Sequence, residues 1–425
     1  MLYNIHEFNR TLFGPATHLA RAGAQMFSAP GSWLAHLPGA ANVAAGYELL
    51  YRVGKRYEKP KFDIHEVEVR GSKVAVMERN VLAKPFCRLQ RMKRYSDRGQ
   101  IVAAMRRDPA VLVVAPLSGH HATLLRDTVR TLLADHKVYF TDWVDARLVP
   151  RDAGPFTLDD YVAYLQAFIR HIGSERLHVV AVCQAAVPAL AAISLMAAAG
   201  APQPRSLTMM GGPIDSRRNP TQVNNLANTK ALSWFDAHLL HEVPPTYPGR
   251  GRRVYPGFLQ HASFIAMNPV RHMSSHGDFF QHLVRGDLDS ADEHRRFYDE
   301  YNAVLDLAGE YYLDCVRIVF QEHLLPRGKW YVRGERVAPE AVTAPLLTIE
   351  GERDDISGLG QTQAALQLCT GIRDDRKHHL IVEGAGHYGI FNGRRWRETV
   401  YPQVRAFIAS AQKLRRPPRV GARDS

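Results

Sequence analysis

The chain has 425 residues, of which 46% are hydrophobic and 23% are charged. This composition is typical of a globular protein and excludes a chain that is disordered over most of its length. The longest apolar run, at 185–201, is interrupted by Pro188 and Ser194. It predicts a buried helix, and a membrane span is excluded. The net charge of +12 suits solubility or attraction to an anionic surface. Nucleic acid is not a favoured partner, because no recognition motif accompanies the charge.

Residues 1–60 are predicted to form an N-terminal helical segment. Phe8, Leu12, Phe13 and Leu19 recur near helical spacing. Such a stripe either packs beside a core or lies on an external apolar surface, and packing is the commoner case.

Strands and helices alternate from about residue 65. Residues 65–70 and 73–78 are predicted to form an antiparallel pair that turns at Gly71 and Ser72. Apolar strands and helices then follow in turn, with strands at 111–115, 138–143 and 177–182 and helices at 122–133, 159–172 and 184–199. Wholly apolar strands are typical of a parallel sheet that is covered on both faces. The order therefore predicts an α/β fold, with helices on both sides of a mostly parallel sheet.

The alternation is interrupted and resumes with a strand at 346–350. The intervening block, residues 215–335, is rich in Pro, Gly, His and aromatic residues. We expect an inserted lid or cap over an apolar substrate site, although these aromatics could also simply pack the insertion against the body. The core is accordingly predicted to comprise residues 61–214 and 336–412, and residues 413–425 to be a disordered basic tail.

Cysteine usage points to a reducing environment. The four cysteines lie far apart and form no CxxC pair. The first residues carry no basic stretch followed by an apolar core and a small-residue cleavage site, so no secretory signal is predicted. We therefore expect free thiols in a cytoplasmic protein, with neither structural zinc nor a cofactor.

Cys183 is the candidate nucleophile. A predicted strand leads directly into this residue, and a helix of small residues begins at once. This is the layout of a nucleophile elbow, with Ala181 and Ala185 where the G-x-S-x-G pattern has glycine. A buried core cysteine is the alternative. The elbow is favoured because a helix N-terminus stabilises a thiolate, because the sequence contains no G-x-S-x-G, and because the other members of a triad follow in order.

Two loops that follow predicted strands supply the acid and the base. The loop after 345–350 contains adjacent carboxylates, of which we choose Asp355 as the acid, while Asp354 is a neighbour that the sequence does not exclude. The loop after 380–382 contains His387 among glycines that would let it reach the sheet edge. The chain order nucleophile, acid, histidine is that of α/β-hydrolases.

An oxyanion hole requires N–H donors close to the nucleophile. The amide of Gln184, directly after the nucleophile, is the first candidate. The loop after 111–115 supplies the second, from either Leu117 or Ser118. The adjacent histidines at 120 and 121 have diverging side chains, so we expect a structural or substrate-contact role for them and no metal site.

The sequence resembles the intracellular poly(3-hydroxybutyrate) depolymerases over nearly its whole length. The runs that carry the resemblance are GYELLYR at 46–52, APLSGHHATLLRD at 115–127, VCQ at 182–184, MGGPID at 210–215, RVYPGFLQ at 253–260, FYDEYN at 297–302, DDISG at 354–358 and GHYGIF at 386–391. The resemblance implies an α/β-hydrolase with a cysteine nucleophile matching Cys183, an acid matching Asp355 and a histidine matching His387. It also implies association with storage granules in the cytoplasm, a polyester substrate and 3-hydroxyacid oligomers or monomers as products.

Three other functions are compatible with parts of this pattern. A polyester synthase shares the Cys-Asp-His logic but transfers acyl groups from a coenzyme A thioester toward elongation. A non-catalytic granule-coating protein could use residues 1–60 as an anchor, but it would need no elbow, acid loop and histidine loop in register. A general lipase or esterase is the third. The similarity along the whole chain favours hydrolysis of the polymer.

Overall fold

The fold is described from a computed structural model, which covers residues 2–267 and 269–414. Most of the predicted basic tail, at 413–425, lies outside these residues. The strands in chain order are β1 (Glu66–Val69), β2 (Ser72–Lys84), β3 (Cys87–Tyr95), β4 (Ala110–Val114), β5 (Lys137–Trp143), β6 (Leu177–Val182), β7 (Ser206–Met210), β8 (His241–Glu242), β9 (Arg253–Tyr255), β10 (Leu307–Ala308), β11 (Tyr331–Val332), β12 (Glu335–Arg336), β13 (Leu346–Gly351) and β14 (Lys377–Val382).

A nine-stranded sheet in the order β1-β2-β3-β5-β4-β6-β7-β13-β14 forms the centre of the molecule. The pairs from β1 to β5 are antiparallel, and those from β5 through to β14 are parallel. Strands β6 and β7 are buried at every residue, as expected for apolar strands covered on both faces. The predicted α/β fold is confirmed.

The register aligns the carboxyl ends of three neighbouring strands. Met210 of β7 pairs with Val182 of β6 on one side and with Ile349 of β13 on the other. Residues that directly follow these strands therefore meet at one edge of the sheet, although the sequence separates them widely.

The residues that the structure describes form fifteen α-helices. The α-helices are α1 (Leu2–Ser28), α2 (Ala40–Gly54), α3 (Gly99–Arg107), α4 (Arg126–Leu132), α5 (Leu158–Ile172), α6 (Ala186–Ala198), α7 (Gln222–Thr229), α8 (Leu232–Leu239), α9 (Gly257–Met267), α10 (Pro269–Arg285), α11 (Leu288–Tyr301), α12 (Gly309–Asp314), α13 (Ala364–Leu368), α14 (Gly393–Arg395) and α15 (Tyr401–Lys413). Within the described residues, no helix is long and apolar enough to cross a membrane.

The chain leaves the central sheet between β7 and β13. This segment contains α7 to α12 and the small sheets β10-β9-β8 and β11-β12. It is fastened to the loop after β4 by a β-bridge between His120 and Val304 and by a hydrogen bond of 2.8 Å from the Leu305 amide to the Gly119 carbonyl. The segment therefore packs against the carboxyl edge of the sheet.

Helices α1 and α2 form an N-terminal hairpin that packs on α10. Two polar contacts help to attach it: the Tyr3 hydroxyl donates to Asp306 Oδ2 at 2.6 Å, and Arg52 pairs with Asp299 of α11 at 2.9 Å. A cavity of about 580 Å³ remains between the hairpin and helices α9 and α10. Cys183 and His387 do not line this cavity, so it is separate from the candidate chemistry.

Candidate active site

Cys183 lies on a tight turn between β6 and α6. Its φ angle is +56°, a left-handed conformation that costs about 1–3 kcal/mol for a residue with a side chain and is typical of functional sites. Residues Cys183–Ala185 form a short 3₁₀ turn that continues into α6. The thiol is partly exposed, whereas the other three cysteines are buried. The residue therefore has the backbone and the accessibility of a nucleophile, and the alternative of a buried core cysteine does not hold.

The turn is closely packed, because Gly212 follows β7 directly beside it. A side-chain carbon at residue 212 would lie 2.3 Å from Ala186 Cβ and 2.8 Å from the carbonyl oxygen of Cys183. Small residues are thus required on both sides of the elbow.

His387 and Asp354 form a buried hydrogen-bonded pair at the same edge. His387 Nδ1 lies 2.7 Å from Asp354 Oδ2. The other oxygen of Asp354 accepts hydrogen bonds from the amides of Ile356 at 2.9 Å and Ser357 at 2.8 Å. The carboxylate is thereby fixed in position by its own loop, and it orients the imidazole ring.

The choice of Asp355 as the acid is wrong on this geometry. The carboxylate that meets His387 belongs to Asp354, whose side chain is buried, whereas Asp355 is exposed. Successive side chains in a tight loop point in different directions, so only one of the two can face the histidine. The two amides of the loop select Asp354 for that position.

The His387 ring also interacts with Cys183. Burial by itself lowers the pKa of His387, but the Cys183 sulfur and the Asp354 carboxylate together raise that pKa well above 6.5. The raised pKa favours an imidazolium at neutral pH. Such a ring can stabilise a thiolate and later donate a proton to a leaving group.

Gly211 forms the wall behind this pair. Its φ angle is +58°, and an added Cβ would lie 3.1 Å from His387 Cε1 and 3.3 Å from Asp354 Oδ2. Any side chain here would press on the histidine and the acid. Gly211 is therefore a packing requirement of the site.

Buried aromatic side chains hold the loop that contains the candidate oxyanion donors. The Tyr311 hydroxyl donates to the Leu117 carbonyl at 2.9 Å, while Tyr161 and Trp143 donate to the Ala115 carbonyl at 3.0 and 2.9 Å. In a trans peptide the carbonyl and the following N–H point in opposite directions. Tyr311 therefore fixes the peptide between Leu117 and Ser118, the two candidate oxyanion donors of this loop.

Gln184 contributes an amide at the start of the helix and a buried side chain. The first amides of a helix have no partner within it, so the Gln184 N–H is available to a ligand. The side-chain amide donates to Cys315 Sγ at 3.1 Å. Burial raises the pKa of Cys315 to about 12, so this second sulfur is a neutral packing group.

The adjacent histidines are both buried. His120 Nε2 bonds to the carbonyl of Tyr301 at 3.1 Å, and its ring stacks on Phe264 at 4.9 Å. Burial lowers the pKa of His120 to about 4 and that of His121 to about 3. Both rings are neutral, and His120 links the oxyanion loop to the segment inserted after β7.

Two residues of the site were not singled out from the sequence. Tyr311 comes from α12, and no local pattern marks it. Gly211 stands directly after β7 in the run MGGPID. The two adjacent glycines at the end of an apolar strand could have indicated a closely packed position beside the site.

A nucleophile turn at the carboxyl edge of the sheet, followed in chain order by an acid and a histidine, defines an α/β-hydrolase. The sheet order and the elbow place this protein in that class. Residues 211–412, just under half of the chain, match the family described as PHB de-polymerase C-terminus. This part of the chain is thus similar to the C-terminal region of that family, and the match together with the fold supports an ester hydrolase.

Solved structures resemble this chain only distantly. A putative lipase from Acinetobacter baumannii AYE is 12% identical, with a TM-score of 0.43 over 79% of this chain and 93% of that one. A monoacylglycerol lipase from Paleococcus ferrophilus is 14% identical, with a TM-score of 0.42 over 72% and 96%. A 2-hydroxy-6-oxo-6-phenylhexa-2,4-dienoate hydrolase from Rhodococcus sp. strain RHA1 is 12% identical, with a TM-score of 0.44 over 79% and 99%. These scores carry no argument on activity. No curated protein matches the sequence.

Proposed function

We propose that this protein hydrolyses the ester bonds of amorphous poly(3-hydroxybutyrate) in storage granules and releases 3-hydroxybutyrate oligomers and monomers. The carrying observation is the placement of Cys183, at a φ of +56°, beside a histidine that lies 2.7 Å from a buried carboxylate. The assignment of a polyester as the substrate rests on the family match over residues 211–412.

The reaction would proceed through a thioester. The Cys183 sulfur attacks an ester carbonyl carbon, and the carbonyl electrons move onto oxygen, which accepts hydrogen bonds from the amide of Gln184 and from that of Leu117 or Ser118. As the carbonyl re-forms, the C–O bond breaks, and the alkoxide leaves with the proton of His387. Water then gives a proton to His387 and attacks the thioester, which releases a carboxylic acid and restores the sulfur.

The inserted block at 215–335 would act as a lid over this site. Tyr388, next to His387, lies close to Tyr301 of α11 and to Cys183, and burial together with these groups raises the pKa of Tyr388 well above 10. The phenol is therefore neutral and forms part of an aromatic surface beside the nucleophile. Such a surface suits an uncharged polyester chain better than a charged substrate.

The test compares wild type with Cys183→Ala on native granules, with the soluble products identified. A matched control is Cys369→Ala, because burial raises the pKa of Cys369 to about 12 and makes that thiol unreactive. We expect the first variant to lose turnover and the second to keep it. Acid quenching of the wild-type reaction followed by mass spectrometry should show a 3-hydroxyacyl adduct on Cys183.

Other outcomes would replace the proposal. Wild-type turnover by Cys183→Ala would exclude the cysteine mechanism. Polymer formed from 3-hydroxybutyryl-CoA would indicate a synthase. Hydrolysis of tributyrin without hydrolysis of amorphous polymer would indicate a general esterase.

A further inference from the structure

The N-terminal hairpin exposes an apolar stripe. Most of the exposed large hydrophobic side chains among the described residues belong to this hairpin and its connection: Leu2, Ile5, Phe8, Leu12, Phe13, Leu19, Met26, Trp33, Leu37, Val43, Tyr47, Leu50 and Val53. On α1, Ile5, Phe8, Leu12, Leu19 and Met26 fall within about 60° of the helix circumference at 3.6 residues per turn. Phe8, Leu12 and Leu19 are 67%, 62% and 72% exposed.

The stripe is not the packing face of α1. The buried residues of this 27-residue helix are Tyr3, Ala20 and Ala24, which lie on a different side. The sequence allowed a stripe that packs on the core or one that faces outward, and in the structure it faces outward. Contiguous exposed apolar surface of this kind marks a contact with a partner.

The charges of the hairpin argue against an anionic membrane as that partner. Its acidic and basic residues are Glu7, Arg10, Arg21, Glu48 and Arg52. Glu7 pairs with Arg10, Glu48 with Arg295 and Arg52 with Asp299, while Arg21 lies over the Tyr51 ring. Helices that bind anionic lipid carry Lys and Arg on their polar face. This hairpin contains no lysine, although the whole chain has a net charge of +12.

The inserted segment beside the active site also exposes apolar side chains and packs on the hairpin. Helix α10 packs on α2 and exposes Val270 and Met273 at 77% and 75%, and Leu288 of α11 is 63% exposed. The last residue of α11, Tyr301, lies near Tyr388 beside Cys183. The hairpin therefore packs on the same segment that reaches the nucleophile, so docking through α1 would bring that segment close to the particle.

We infer that the stripe of α1 is the face that docks on the uncharged surface of an amorphous polyester particle. This inference rests on the proposed function for the identity of the polymer. It assigns adsorption to a surface that is separate from the catalytic residues. Binding to the particle would concentrate the enzyme and orient the inserted segment toward the polymer.

The test uses the triple variant Phe8→Gln, Leu12→Gln, Leu19→Gln. Its matched control, Met77→Gln, Tyr331→Gln, Ile381→Gln, removes three other exposed apolar side chains with exposures of 48%, 57% and 46%. Co-sedimentation of both variants in the Cys183→Ala background measures the Kd for amorphous polyester particles. Binding to neutral phosphatidylcholine vesicles or to anionic phosphatidylglycerol vesicles tests whether a lipid surface is the partner. Sedimentation velocity tests whether a second copy of the chain is the partner.

We expect the α1 triple variant to bind particles roughly 10²-fold more weakly, because three large apolar side chains no longer leave water. The control should bind as the parent does. With Cys183 restored, both variants should hydrolyse p-nitrophenyl butyrate at the wild-type rate. Equal binding by the two triple variants would overturn the inference. So would preferential binding to either type of vesicle, or a dimer that only the α1 variant breaks.

The two proposals fail in distinguishable ways. Particles that are bound through α1 but never hydrolysed would refute the proposed function and leave the docking face standing. Hydrolysis of particles by the α1 triple variant at the wild-type rate would refute the docking face and leave the proposed function standing. Circular dichroism and thermal unfolding confirm that the exposed substitutions leave the fold intact.

Discussion

Replacing Asp354 by asparagine should nearly abolish ester hydrolysis, whereas the same change at Asp355 should not. The Asp354 carboxylate is 2.7 Å from His387 Nδ1, and the two side chains are 0% and 4% exposed. An asparagine can still accept the hydrogen bonds from the amides of Ile356 and Ser357 through its oxygen. Its NH₂ group then faces the histidine and donates to Nδ1, so Nδ1 no longer carries a proton and the imidazolium that stabilises the thiolate is lost.

The expected loss in kcat for Asp354→Asn is about 10³–10⁴-fold, as for a triad whose histidine is held in the wrong tautomer. Asp355→Asn, at an exposed position, should change kcat by less than about threefold. The assay is hydrolysis of p-nitrophenyl butyrate, which requires no adsorption to a particle. Similar unfolding free energies for the two variants would show that the difference is catalytic.

The pH profile provides a second readout of the same change. In the wild type, the Cys183 sulfur and the Asp354 carboxylate raise the pKa of His387 above its ordinary value. Removing the Asp354 charge removes one of the causes that raise this pKa. The alkaline limb of kcat/KM should therefore move to lower pH in Asp354→Asn and stay in place in Asp355→Asn. A full loss of activity in Asp355→Asn, with Asp354→Asn active, would refute the assignment.

Three further substitutions test the surroundings of the site. Tyr311→Phe removes the hydrogen bond to the Leu117 carbonyl. We expect kcat to fall about tenfold with KM unchanged, because the loop that holds the oxyanion donors is less well fixed. A parallel rise in KM would contradict this role. Gly211→Ala places a methyl group 3.1 Å from His387 Cε1, at a residue whose φ angle is +58°. The free energy of unfolding should therefore fall by about 1–3 kcal/mol, and kcat should fall as well. An unchanged Tm would refute this prediction. Burial and the nearby Asp306 raise the pKa of Asp145 to about 7, so the folded state is destabilised as pH rises from about 4 through 7. Asp145→Asn should flatten this decline in urea unfolding between pH 5 and pH 8, and an unaltered slope would show that the carboxyl is not the cause.

The sequence by itself determined the architecture. Alternating apolar strands and helices dictated a parallel sheet, because a strand that is apolar on both sides is stable only when both faces are covered. The helical block 184–199 was foreseen within about two residues of α6, although its first turn is 3₁₀. Strand β3 was not predicted, since the apolar residues of its segment, Cys87–Tyr95, are interspersed with Arg, Gln and Lys.

For the site, the sequence located Cys183 and His387, because a nucleophile and a histidine at strand ends leave a local pattern. The choice of Asp355 over Asp354 was wrong, since adjacent carboxylates in a loop are equivalent until the loop's own amides fix one of them beside the ring. The sequence also could not reveal Tyr311, which reaches the oxyanion loop only through packing of the inserted segment. Whether the α1 stripe packs or is exposed was likewise decided by tertiary structure, because helical periodicity shows that a face is apolar but not what covers it.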